Sequence, residues 1–147
     1  MDIRLGYFTS LDEDFNELLE ESLKEGYEHL KRFKEQWELG ENRFDRPGEM
    51  HVVAVEGMRP VGICGLNIDP YLNDEKVGRL RHLYVHPDFR GLTIGSILVN
   101  EVIDCAKDSF DLLRLRTNEE AASKFYIKLG FEISEKENET HRLVLSK

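Results

Sequence analysis

The sequence predicts one mixed α/β domain, and three observations carry that reading. The length, 147 residues, suits a single chain-wide core and would be cramped for two. Hydrophobic spacing switches between the two-residue period of strands and the 3.6-residue period of helices, in the order strand, two helices, three strands, helix, strand, helix, two strands. No repeat, low-complexity segment or linker interrupts that order, so the domain is expected to span residues 1–147.

Taken in chain order, "DIRLGYF" reads as an extended opening strand. Ser10 and Glu13 then stand in the relation of a capping box, which predicts a helix from near Leu11 with Phe15, Leu18 and Leu19 facing inward. Gly26 breaks or bends it, and Tyr27, Leu30, Phe33 and Trp37 form the stripe of a second helix reaching about Leu39. "GENRFDRPGE" is a loop, and "MHVVAVE", "GMRP" and "VGICGLNID" read together as an antiparallel hairpin. After the loop "PYLNDE", a longer strand "VGRLRHLYVHP" ends at Pro87, and Ile94, Ile97, Leu98, Val102, Ile103 and Ala106 mark one side of a third helix. "DLLRLRT" is a strand, and "EEAASKFYIKLG" is a helix that Gly130 stops through a left-handed cap. The tail supplies two short strands around a polar turn.

Composition narrows the function classes. Apolar residues make up 40% and charged residues 33%, with no apolar run long enough to cross a membrane and no visible secretory signal, so a cytoplasmic location is expected. A formal charge of −9 argues against nucleic-acid binding, and any anionic ligand needs a local positive site. Cys64 and Cys105 have no spacing that suggests a metal or a redox pair and are expected to be buried, reduced thiols. No metal site is expected, and the spacing leaves monomer and homodimer open.

The stretch "VHPDFRGLTIGSIL" carries the first chemical signal. Between Pro87 and Ile94 the chain turns from strand to helix, whose first amides have no partner within it and whose dipole favours a negative group. Gly91 and Gly95 would let backbone approach a phosphate closely. The dinucleotide and nucleotide-triphosphate glycine patterns are both absent. Local physics leaves a plain turn and a phosphate cradle as equal readings.

"LYVHPDFRGLTIGSILV" resembles the coenzyme A loop of the GNAT superfamily of N-acetyltransferases, with the pattern Q/R-x-x-G-x-G/A after a central strand. Arg90 fills its first position and Gly95 its last, while Thr93 stands at the middle glycine, where a β-branched side chain resists positive φ. A second segment, "AASKFYIKLGF" from Ala121 to Phe131, resembles the family's A-x-x-x-F/L-Y-x-K-x-G-F helix. The resemblance is strongest from Val77 to Phe131. It implies a mostly antiparallel central sheet with splayed central strands, and a backbone cradle for acetyl-CoA made by Arg90, Gly91, Leu92, Thr93, Ile94, Gly95 and Ser96. Backbone groups of Leu83, Tyr84 and Val85 would hold the pantetheine. The family's pantetheine asparagine lies seven residues before its tyrosine, a position filled here by Glu119, with Asn118 one place earlier as the substitute.

The same resemblance implies acetyl transfer to a primary amine of a small molecule or a protein by direct attack, with Tyr126 as general acid toward the departing thiolate. A tyrosine of ordinary pKa near 10 is protonated at neutral pH, as that role requires. His82 and His86 are open as bases, as are Glu49, Glu56, Asp69 and Glu75, and none is assigned. The acceptor is expected across the sheet from the cofactor, near Trp37, Asn42, Arg43, Phe44 and Asp45, where Glu38, Glu41 and Asp45 would draw a cationic amine. The rival reading is a non-catalytic acyl-CoA-binding sensor or partner module.

Overall fold

The computed structural model describes residues 2–7, 13–91 and 93–145. The elements follow the expected order: β1 (Ile3–Tyr7), α1 (Glu13–Lys24), α2 (His29–Glu38), β2 (Met50–Glu56), β3 (Arg59–Ile68), β4 (Val77–Val85), α3 (Ile94–Ala106), β5 (Leu112–Leu115), α4 (Glu120–Lys128), β6 (Glu132–Ile133) and β7 (His141–Val144). The proposed Ser10 cap and the helix start near Leu11 lie outside the described residues. Gly26, at φ +88°, ends the first helical segment in a conformation that costs glycine little, and the chain re-enters a helix at His29. Gly130, at φ +107°, closes α4 in the same way.

One seven-stranded sheet runs in the order β1-β2-β3-β4-β5-β7-β6. Every neighbouring pair is antiparallel except β4 and β5, which are parallel and joined by the α3 crossover. Each face has its own core. On one, α3 and α4 bring Ile94, Leu98, Val102, Tyr126 and Phe131 onto Val61, Leu66, Leu113 and Leu115. On the other, Phe15 and Leu18 of α1 and Leu30 and Phe33 of α2 pack on Ile63 and Tyr84. β3 is buried through most of its length because both layers cover it, which explains its unbroken apolar run.

Two features set β4 apart from the other strands. It pairs with β5 only at Val77, Gly78 and Arg79, opposite Leu112, Leu113 and Arg114; beyond Arg79 the strands part. At the closed end Arg79 and Arg114 face one another, a repulsive pairing in a sheet. Buried Asp69 bridges them, 3.2 Å from Arg79 Nη1 and 3.4 Å from Arg114 Nε. Glu139 lies 2.9 Å from the same Nε as an ion pair, although the N–H is not aimed at it well enough for a hydrogen bond.

The second feature is a bulge. Gly65 pairs with Arg81 and Ile63 with Tyr84, so β4 carries one residue more than β3 across this interval, and His82 takes φ +60°. The His82 ring lies flat beside Phe33 at 4.9 Å and beside His51 at 5.4 Å, and Phe33 stacks on His51 at 4.2 Å. This stack needs Gly65: a Cβ there would lie 2.5 Å from His51 Nε2.

No described helix is long and apolar enough to cross a membrane. The cysteines are free, as expected, but only Cys64 is fully buried; Cys105 is partly exposed beside Tyr7 and Glu101.

Candidate active site

Where β4 and β5 part, a cleft of about 870 Å³ opens through the sheet. One flank is built from Ile94, Gly95 and Ser96 at the start of α3 and from Phe125 and Tyr126 on α4. The opposite flank is formed by Tyr27, His29 and Arg32 of the α2 region, with Arg79, Arg81 and His82 of β4. Leu83, Tyr84 and Val85 run along the seam. They have no β5 partner, so the β5-facing backbone polar groups of this stretch, apart from the Val85 carbonyl that Arg90 occupies, are available to a ligand.

The turn into α3 tests the phosphate reading. After a single 3-10 turn at Pro87–Phe89, Gly91 adopts φ +79°, and a Cβ there would meet nothing within 4 Å, so its surface faces open space. Thr93 takes φ +66°, ψ 6° at the N-cap of α3. The expectation that threonine would resist this conformation is overruled by the fold: Thr93 accepts the glycine-like geometry at a strain of about 1–2 kcal/mol. This turn brings the start of α3, whose first amides have no partner within the helix, to the wall of the cleft, and such a helix start fits a pyrophosphate. Leu92 lies outside the described residues. Gly95 lines the cleft and also admits the edge of Phe125, 3.4 Å from where a Cβ would stand.

Arg90 does more than face the cleft. Its guanidinium makes paired bonds of 2.7 and 2.6 Å to Glu25, donates from Nε to the Val85 carbonyl at 3.0 Å and lies over the Tyr84 ring. Tyr84 in turn donates a 2.5 Å bond to Glu25. Arg90 therefore fastens the turn to the end of α1 and to β4, and Glu25 was the partner that sequence reading did not find. Its carboxyl is held below the usual range, chiefly by the Arg90 hydrogen bonds.

Tyr126 is 6% exposed, and its hydroxyl has no hydrogen bond among the described residues. Burial first, then the nearby Cys64 and Glu119, pushes its pKa above the ordinary value, so the phenol stays protonated across the neutral range. Asn118 is exposed and does not line the cleft. Glu119 does, and among the described residues it is the only carboxylate that lines it. The one-residue offset in sequence is thus an offset in space: α4 begins at Glu120, and its first turn carries Glu119 rather than Asn118 to the opening.

The residues expected from sequence at the acceptor lie away from this cleft. Phe44 is 5% exposed and wedged at φ +55° between Phe33 and His51, and Trp37 packs edge-on against Phe33, so both serve the core. Asn42, Arg43 and Asp45 line a separate cavity of about 360 Å³, with Asn42 tied to Asn67 and Arg43 to the Trp37 carbonyl. None of these five lines the main cleft: Trp37, near the end of α2, packs on Phe33, and the other four lie in the following loop, which is tied to β2 and β3 through Phe44 on His51 and Asn42 on Asn67. Glu49, Glu56, Asp69, Glu75 and His86 also lie outside its lining, whereas His82 is part of it. His82 is held neutral by burial and by His51 and Arg81 beside it.

Comparison with known proteins agrees with this geometry. Residues 12–131 match the family described as "Acetyltransferase (GNAT) family". The chain is 35% identical over 89 residues to an uncharacterized N-acetyltransferase of Methanocaldococcus jannaschii; the matched segment is 57% of this chain and 39% of that protein. A crystal structure assigned as an acetyltransferase, from Exiguobacterium sp. 255-15, superposes with a TM-score of 0.86 at 28% identity over 98% of this chain and 94% of that one. A GNAT-family acetyltransferase structure from Staphylococcus aureus Mu50 gives 0.76 at 20% identity over 99% and 100%.

Proposed function

Because the chain belongs to the GNAT family of acetyltransferases, we propose that it transfers an acetyl group from acetyl-CoA to a primary amine by direct attack. The observation that carries this reading is the cleft between β4 and β5, which has a strained, amide-presenting turn at one flank and an unbonded, protonated tyrosine beside it.

The residues present fit the roles the reaction demands. Backbone groups of Leu83 to Val85 would align the pantetheine and thioester along the seam at little reorganisation cost, because the sheet already fixes them. The α3 amides behind Gly91 and Thr93 would take the pyrophosphate. Tyr126 would give its proton to the sulfur as the carbon–sulfur bond breaks; burial keeps the phenol protonated until that step, and the charge developing on the sulfur supplies the drive for the transfer. Glu119 is placed to attract the incoming ammonium and to take its proton, directly or through water.

Incubating the protein with acetyl-CoA and a panel of primary amines, while following free thiol, tests the proposal. Thiol release that depends on the amine supports it. Tight acetyl-CoA binding by calorimetry without turnover on any amine would favour the non-catalytic acyl-CoA-binding module, and absence of binding would exclude both.

A further inference from the structure

The arginines of the cleft say what kind of amine it takes. Five line it, Arg32, Arg79, Arg81, Arg90 and Arg116, in a chain whose net charge is −9. Two are neutralised: Arg90 by Glu25 and Arg79 by Asp69. Arg81 is not. It is partly buried, and its one side-chain hydrogen bond runs from Nη1 to Asn67 Oδ1 at 3.2 Å. Among the described residues no carboxylate comes within ion-pair distance of Arg81 or of Arg32.

Arg81 is also held in place. Asn67 is itself fixed by two hydrogen bonds with Asn42 and one to Glu49, so the amide that receives Arg81 cannot swing away. Burial and the neighbouring Arg79 and Arg32 all disfavour its charge, and Asp69, already shared between Arg79 and Arg114, compensates little. Withdrawing a guanidinium from water without a counter-ion is costly, and an anion offered from the cleft removes that cost. The planar fork, with one of its five donors used, matches a carboxylate or a phosphate.

We propose that the acceptor is an amine that also bears an anionic group, carboxylate or phosphate, which Arg81 receives with Arg32 at the rim on the α2 side of the cleft. The inference rests on the acetyltransfer reading. It reverses the charge expected from Glu38, Glu41 and Asp45, since the cleft offers the acceptor flank guanidinium groups. Glu119, beside Tyr126, is left to meet the ammonium, so the acceptor spans the cleft with its amine toward Tyr126 and its anion toward Arg81.

The test uses amines in matched pairs: amino acids against their carboxamides, and phosphoethanolamine against ethanolamine. The wild-type protein should prefer the anionic member of a pair, and the better pair tells carboxylate from phosphate. Arg81→Gln should cut that preference by about tenfold to a hundredfold, through KM rather than kcat, as expected for a lost charge-assisted bond. Calorimetry of the same amines onto the protein saturated with coenzyme A reads the contact without catalysis, and there Arg81→Gln should weaken the anionic amine by the same factor. Equal handling of both members of every pair by the wild-type protein overturns the proposal. So does an Arg81→Gln variant that loses affinity for coenzyme A itself, because Arg81 would then serve the nucleotide. Failure of acetyl-CoA turnover with retained, Arg81-dependent binding of anionic amines would reject the acetyltransfer reading alone.

Discussion

Acidification should weaken this protein before its carboxylates titrate, and the reason is the ring stack under β4. His51 is 1% exposed, and burial, with Arg81 adding to it, pushes its pKa down to about 3. His82 is likewise held well below its usual value by burial and by His51. In the unfolded chain both return to about 6.5. The unfolded state therefore binds more protons than the folded state between those limits. The stability these rings contribute is fully present above pH 6.5 and is lost as pH falls through that value. From pH 7 to pH 5 the His51 ring costs about 2 kcal/mol and His82 adds to the loss, against a total that for most domains is about 5–15 kcal/mol. His29 and His141, lowered mainly by burial, add in the same direction. Glu25 and Glu139, whose carboxyls are held low, lose their contribution only at more acidic pH. Urea denaturation followed by circular dichroism at pH 7, 6 and 5 measures the effect. His51→Phe, which keeps the stack on Phe33, should remove the His51 share of the loss between pH 7 and 5, about 2 kcal/mol. A wild-type stability that stays flat over this window would refute the reasoning, because it would mean the rings accept protons in the fold.

Three further outcomes are expected from other parts of the molecule. Tyr126→Phe should lower turnover about 10- to 10⁴-fold with cofactor affinity and fold intact, because the hydroxyl it removes has no bond among the described residues; steady-state kinetics and calorimetry check this. Thr93→Gly should relieve a left-handed strain of about 1–2 kcal/mol while adding about 0.5–1 kcal/mol of unfolded-chain entropy, so that Tm rises by a few degrees or holds. A clear fall in Tm would show that the threonine side chain contributes more than its strain costs. Gly65→Ala, whose Cβ would press on a boxed-in histidine ring, should destabilise by about 1–3 kcal/mol in the same denaturation assay.

The order of elements was legible because helices and strands here are strongly periodic and punctuated by Gly26, the proline-bearing loops and Gly130. The strand-to-helix turn and the tyrosine helix were legible as motifs, and both border the cleft. Three things were not. The loop after α2 was expected to meet the acceptor because the resemblance puts the substrate pocket across the sheet from the cofactor, yet Phe44 turns inward, a choice made by the space beside Phe33 and His51 rather than by local sequence. Asn118 and Glu119 differ by one residue, and which of them meets the cleft depends on where α4 starts. The bulge at His82 has no mark in "RLRHLYV", since it is a matter of how β4 pairs with Ile63 and Gly65 of β3 and not of local propensity. With it went any chance of foreseeing that Arg81 would face α2 without a carboxylate of its own.

That bulge divides β4 into two reading frames. Upstream of His82 the alternation of sides is set by the closed end with β5, and downstream it is set by the turn into α3. Arg81 and His82 both turn toward α2, at a place where strict alternation would have sent one of them to the α3 layer. Two consecutive side chains of one strand therefore reach the same side of the cleft, where unbroken pairing would deliver one.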